Sequence, residues 1–248
     1  MIDYYDITKR YYSNWLGITE EDFNEAEVLF VYSNIRNEVQ KGFSNPFDLY
    51  IWVQDNKIII SYGDKAKERI TRLESGININ MSIAEVSMHI KDIWGAISKK
   101  MVIYSFDKLE HLDNKSYKLG KDDYKLYEDF FIASNPDCED ISWLKDYFIS
   151  IVDKGYSFVE IVDGRIVCMN DLPDIPYMEN EIMEIGIVTL KEHRKEGFAK
   201  KVCKSSASEM IANNVCPHWM ADIENIGSQK LATSIGFKEI AKVIMVTL

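Results

Sequence analysis

The chain has 248 residues, of which 46% are hydrophobic and 28% charged, with a formal net charge of -11. That length buries a substantial core in one large domain or two smaller ones, and the composition is that of an ordinary globular protein. The negative field disfavours nucleic acid as a partner and favours the approach of a cationic or amine substrate.

The first residues, MIDYYDITKR, have neither the basic start nor the apolar core of a signal peptide. No apolar run approaches the roughly 20 residues that span a bilayer. Cys138, Cys168, Cys203 and Cys216 lie far apart with no C-x-x-C pair. A cytoplasmic protein with reduced thiols is therefore expected, with no membrane partner and no metal site.

Residues 3–15 place Tyr4, Tyr5, Tyr11, Tyr12 and Trp15 at near-helical spacing, which suits a core-facing stripe. Residues 28–32 predict a strand, and 47–53 with 57–62 predict a hairpin turning at Asp55-Asn56. Helices are expected over 65–73 and 82–97, the second with Ile83, Val86, Ile90 and Ile93 on one face, and a short strand over 101–105. No chemical constellation appears in this half. Across 107–121, DKLEHLDNKSYKLGK, the apolar periodicity lapses and Gly120 punctuates it. This predicts a boundary between an N-terminal α/β domain, 1–112, whose role is unassigned, and a second domain, 113–248.

The second unit reads as helices over 122–134 and 143–152, then a hairpin in FVEIVDGRIVCM that turns on Asp163-Gly164. An acidic loop follows, carrying Asp171, Asp174, Glu179 and Glu181; a solvated surface loop is its simplest reading, and attraction of a polyamine-like or aminopolyol acceptor is the other. Then come a strand over 181–190 and a helix with Phe198, Val202, Ala207, Met210 and Ile211 on its apolar stripe, ending at Asn213-Asn214. Strand 217–223, helix 227–234 and strand 238–246 close the chain. The expected fold class is α/β, an α+β mixed sheet with helices on its faces.

Between that strand and helix lies Arg194-x-x-Gly197-x-Ala199. A tight strand-to-helix turn offers free backbone N–H groups and the positive end of a helix dipole to a phosphate, and glycine lets the backbone come close. The segment lacks the three glycines of a dinucleotide loop and the Gly-Lys-Ser/Thr of a nucleotide hydrolase. It resembles the pyrophosphate loop of the GCN5-related N-acetyltransferase (GNAT) superfamily. Downstream, Asn225, a short helix and Gly236-Phe237 stand where that superfamily has an Asn, a helix and Gly-Phe. Trp219, Asn225, Ser228, Leu231-Ala232 and Gly236-Phe237, with Ile187 and Thr189, resemble more narrowly the branch that includes zwittermicin A resistance proteins. The superfamily resemblance covers about 117–246, and the narrower branch also carries an N-terminal domain of similar size.

The resemblance implies a GNAT acyl-CoA N-acyltransferase fold in the C-terminal half and acetyl-CoA as co-substrate. Ile187, Val188 and Thr189 would lie along the pantetheine arm. Arg194, Lys195, Glu196, Gly197, Phe198, Ala199 and Lys200 would ring the pyrophosphate, and Asn225 and Ser228 would reach the cofactor from the next strand. Taken singly, Ile187 and Val188 suit any buried strand, and Asn225 suits a helix cap. His193 falls where the superfamily usually has a packing aromatic.

An amine of pKa near 10 is only about one part in a thousand neutral at pH 7, a deficit of roughly 4 kcal/mol, so acetyl transfer calls for a base. Glu184 is the first candidate and Glu181 the second, three residues away and on the opposite face of a regular strand. Many superfamily members place a tyrosine after the leucine of the last short helix to protonate the leaving thiolate, and here Ala232 follows Leu231. The expected activity is acetyl transfer to a primary amine of a small molecule. A protein N-terminal acetyltransferase and a non-catalytic acyl-CoA sensor are the alternatives.

Overall fold

The computed structural model describes residues 3–25, 27–96, 98–108 and 115–248. Helices α1 (Tyr4–Leu16) and α2 (Glu20–Glu25) precede strand β1 (Val28–Tyr32) and the hairpin of β2 (Leu49–Gln54) and β3 (Lys57–Tyr62). Helices α3 (Asp64–Lys67), α4 (Ile70–Gly76) and α5 (Ile83–Trp94) lead to β4 (Ser98–Phe106). After the short β5 (Tyr117–Lys118) come α6 (Tyr124–Ser134), α7 (Leu144–Lys154), β6 (Phe158–Val162), β7 (Arg165–Asp171), β8 (Ile182–Glu184) and β9 (Gly186–Thr189). Helix α8 (Phe198–Ala212), β10 (Cys216–Asp222), α9 (Ile226–Ile235) and β11 (Phe237–Val246) complete the fold.

Two sheets result, in the orders β1-β3-β2-β11-β4-β10-β8 and β5-β6-β7-β9. In the larger, β1 with β3 and β10 with β8 are parallel and the other pairs antiparallel, which is the mixed α/β class expected. Alternation of side chains sorts its core. Tyr50 and Trp52 of β2, Ile103 of β4 and Val243 and Met245 of β11 pack with Tyr11, Tyr12, Trp15 and Leu16 of α1. Leu49, Ile51 and Ile244 turn to the opposite face and pack with Ala66, Leu73, Val86 and Ile90, while Val102 and Tyr104 meet Ala207 and Met210 of α8 and Ala232 and Ile235 of α9. In the smaller sheet, Val159, Ile166 and Met169 pack against α6 and α7, and Phe158, Val167 and Cys168 against Val202 of α8.

Several expectations change. Strands from either side of 112/113 interleave: β4 lies between β10 and β11, so the larger sheet draws on both expected units. The break itself falls outside the described residues. The helix expected over 65–73 divides in two, because Arg69 leaves helical geometry with φ -113° and ψ 0°; its guanidinium donates to the Ile93 carbonyl at 3.0 Å. The helix expected to reach residue 97 stops at Trp94, where Gly95 at φ +69° returns its N–H to Lys91 O, a left-handed C-cap that glycine adopts without strain. The strand expected over 181–190 is two strands, one in each sheet.

Candidate active site

That division builds the site. β8 pairs in parallel with β10 through Cys216↔Ile182, Pro217↔Met183 and His218↔Glu184, and the last link of this ladder is Ile185 N–H to His218 O at 3.0 Å. From Gly186 onward the chain pairs instead with β7, Gly186 opposite Asp171 and Thr189 opposite Cys168. A Cβ on Gly186 would sit 3.2 Å from Asp171 Cβ, so glycine suits the crossing. Past this fork β9 and β10 belong to different sheets and have no ladder between them.

A cleft of about 730 Å³ opens there. Leu190 N–H donates to Val167 O of β7, and alternation along the strand then aims the Val188 amide at β7 and the Ile187 and Thr189 amides into the cleft. The opposite wall is Trp219 and Met220 of β10 with Asn225, Gly227, Ser228 and Leu231 at the start of α9. Arg194, Lys195, Gly197, Phe198, Ala199 and Lys200 line the same cleft. Arg194 is steadied by its Nε–H, which donates to Thr189 O at 3.2 Å.

The turn into α8 suits an anion. Gly197 is the N-cap at φ +88° and makes no side-chain cap, and the start of an α-helix turns backbone N–H groups without intrahelical partners outward. Lys195 also has positive φ, +69°, and a Cβ on Gly197 would meet nothing within 4 Å, pointing instead into open space. Backbone donors with alternating handedness at a 15-residue helix start make a concave nest for a phosphate. The residues present therefore fit the diphosphate of coenzyme A.

Of the residues singled out from sequence, Glu184, Ile187, Val188, Thr189, Arg194, Lys195, Gly197, Phe198, Ala199, Lys200, Asn225 and Ser228 all line this one cleft. Glu181 does not: it ends before β8, and its Oε2 accepts from Arg10 at 2.8 Å. Glu196 is also outside the lining, its Oε1 3.6 Å from His193 Nδ1. Asn225 caps α9, accepting from Ser228 N–H at 3.1 Å, and Ser228 Oγ accepts from Trp219 Nε1–H at 3.1 Å. The indole thus fixes the serine, whose own O–H has no acceptor among the described residues. Ala232 is buried in the core, while Leu231 lines the cleft.

The acidic loop is pinned by the protein itself. Asp171 accepts from Tyr147 at 2.5 Å, Asp174 pairs with Lys154 at 3.1 Å and Glu179 with Lys41 at 2.6 Å. Its charges are thereby engaged, as in an ordinary surface loop. A larger groove of about 860 Å³ beside the β2–β3 turn gathers none of the expected site residues. Among the described residues no group of three or more His, Cys, Asp or Glu side chains is placed to hold a metal, and no helix is long and apolar enough to cross a membrane.

Sequence reasoning missed what lies behind Glu184. His218, opposite it in register, is 1% exposed, and His218 Nε2 lies 2.9 Å from the Tyr12 hydroxyl of α1. Tyr12 and His218 are 206 residues apart in sequence, so no local pattern joins them. Burial pushes the Tyr12 phenol well above its ordinary range, with Tyr50, Tyr11 and Glu184 adding to the effect.

The fork between two sheets and the glycine-led helix start agree with the acetyltransferase fold that the sequence resembles. The sequence profile of the GNAT acetyltransferase family matches residues 44–245, and the chain belongs to that family. It is similar to the uncharacterized N-acetyltransferase YdfB of Bacillus subtilis (strain 168), with 26% identity over 114 residues, 45% of this chain and 42% of that protein. The chain thus matches less than half the length of this relative. An acetyltransferase of the GNAT family from Colwellia psychrerythraea shares the fold at a TM-score of 0.52 and 17% identity, over 61% of this chain and 57% of that one. A putative GNAT-family acetyltransferase from Novosphingobium aromaticivorans DSM 12444 matches at a TM-score of 0.46 and 19% identity, over 61% of this chain and 65% of that one.

Proposed function

We propose that the chain transfers acetyl from acetyl-CoA to a primary amine of a small molecule, directly, within a ternary complex. The observation that carries this reading is the single cleft that joins the uncapped, glycine-led turn of α8 to Glu184 at the fork. When bound, acetyl-CoA supplies an acetyl thioester. The amides of the 195–200 turn hold its diphosphate, and the exposed strand edge of Ile187 and Thr189 orients the arm and offers N–H to the thioester carbonyl. Glu184, with a side chain 19% exposed, attracts the ammonium form of the acceptor and takes its proton directly or through one water. The Ser228 hydroxyl donates into the same cleft. A thiolate leaves with a pKa near 8.5, so a dedicated acid in the place of Ala232 is not needed.

The likeness to the zwittermicin A resistance branch directs the choice of acceptor toward aminopolyols. Release of free thiol from acetyl-CoA, followed with glucosamine, spermidine, ethanolamine and a short peptide with a free N-terminus, tests the reading. Turnover with small amines is expected. Peptide-only turnover would reassign the chain to protein N-terminal acetylation, and binding of acetyl-CoA without turnover of any amine would make it a sensor.

A further inference from the structure

The Glu184 carboxylate lies beside a buried histidine. His218 Nδ1 lies 3.6 Å from Glu184 Oε2, is buried, and has no hydrogen-bond partner among the described residues. A buried ring nitrogen is rarely left unpaired. We propose that Tyr12 and His218 are positioning residues that aim the Glu184 carboxylate into the cleft, Tyr12 fixing the proton of the imidazole on Nδ1 and that N–H steering the carboxylate. The proposal rests on Glu184 as the base.

The tautomer follows from counting donors. Tyr12 is 1% exposed, and the nitrogen at 2.9 Å is the partner of its hydroxyl. A buried phenol that keeps its proton has to donate it, so Nε2 presents a lone pair and the ring of neutral His218 carries its hydrogen on Nδ1. Nδ1 is the atom that faces Glu184. At 3.6 Å the contact exceeds hydrogen-bond length, and an approach of about 0.7 Å would convert it to a charge-assisted bond. Catalytic hydrogen bonds commonly tighten in this way once substrate is present.

Location supports the same role. Glu184↔His218 is the last register pair before the two strands part, so the imidazole reaches the carboxylate where the cleft begins. Tyr12 comes from α1, whose neighbouring Tyr11 also packs on the His218 ring, centroids 5.4 Å apart. The titratable groups around the pair are Tyr11 and Tyr12 of α1, Tyr50 of β2, Glu184 of β8 and His218 of β10; the three phenols are all held protonated by burial. The N-terminal helix thus contributes to the site through the hydroxyl of Tyr12.

The deciding experiment is two-bond proton–nitrogen correlation NMR on the full chain labelled with 15N-histidine, with the His218 signals assigned by their loss in His218→Asn. The expected result is a proton on Nδ1 and none on Nε2, a move of that proton's resonance in Glu184→Ala, and loss of the Nδ1 preference in Tyr12→Phe. A proton on Nε2 in the unaltered protein, or a tautomer indifferent to Tyr12→Phe, would overturn the proposal. In turnover with the fastest of the four probe amines, Tyr12→Phe and His218→Gln are expected to lower kcat roughly tenfold with KM for acetyl-CoA unchanged. His218→Asn, whose amide N–H can stand in for Nδ1–H, is expected to retain most of it. Equal losses in Asn and Gln variants of unchanged melting temperature would also overturn it. If Glu184→Gln turns over at the unaltered rate while the tautomer is as described, the base assignment has failed and the hydrogen-bond chain has not.

Discussion

Val102 of β4 stands in register with Ala221 of β10 on one side and with Lys242 of β11 on the other. A strand from the first half of the chain is therefore the middle strand of the ladder that carries the cleft wall. Expressed alone, residues 115–248 would leave β10 and β11 unpaired along their facing edges and expose the apolar residues that meet Val102 and Tyr104. Such a fragment is expected to be insoluble or to lack a cooperative melting transition, whereas a fragment beginning at residue 44 would retain β4. A cooperative melt of 115–248 would contradict the shared sheet.

Lys118 of β5 and Lys115 both reach Glu209 of α8, at 2.8 and 3.2 Å. The hydrogen bond from Lys118, opposed in part by burial and aided by Lys115, holds the Glu209 carboxyl below its ordinary 4.5. A depressed carboxyl stabilises the fold above its unfolded pKa and ceases to do so as pH falls through its folded one. The stability difference between the unaltered chain and Glu209→Gln should be full well above the carboxyl's ordinary 4.5 and shrink as pH falls below it. A difference that does not change with pH would place the effect in packing.

Arg36 is fully buried, and its three guanidinium nitrogens have no hydrogen-bond partner among the described residues. Its charge is accommodated by the faces of Trp15 and Tyr50, 5.5 and 5.3 Å away, and burial pulls its pKa down. Taking an unpaired cation out of water is costly. Arg36→Met keeps the volume and is expected to raise the melting temperature, by about 2–4 °C for each kcal/mol recovered. A lower melting temperature would show that the cation–π contacts outweigh desolvation.

Glu184→Gln preserves size and loses basicity. Turnover is expected to fall by roughly 10²–10⁴-fold with acetyl-CoA binding unchanged. Glu181→Gln, which removes only an exposed pairing with Arg10, should leave turnover within about twofold, since such pairs contribute little. Steady-state kinetics on both variants distinguishes the two carboxylates.

Much of this site was legible because it is local. A glycine between strand and helix, with Arg194 before it and Ala199 after it, predicts the turn, and Asn225 with Ser228 predicts the start of α9 where the structure has it. The fork was not legible. EIMEIGIVTL reads as one mostly apolar strand carrying single carboxylates, and the change of partner at Ile185 depends on which neighbours β7 and β10 offer. The same limit hid the place of β4 and the contact of Tyr12 with His218, since pairing between distant segments leaves no mark on local periodicity.

The central claim is that the turn ending at Gly197 holds the diphosphate of acetyl-CoA. Isothermal titration of acetyl-CoA into the unaltered chain and into Gly197→Val measures it most directly. Beyond its chain neighbours and its own helix backbone, nothing lies within 4 Å of a Cβ at Gly197, so the substitution chiefly costs the strain of a branched side chain at φ +88°, about 1–3 kcal/mol, and the variant should remain folded. Saturable binding that is lost or weakened at least tenfold in Gly197→Val is the predicted result; no heat of binding in the unaltered chain, or equal affinity in both, would contradict it.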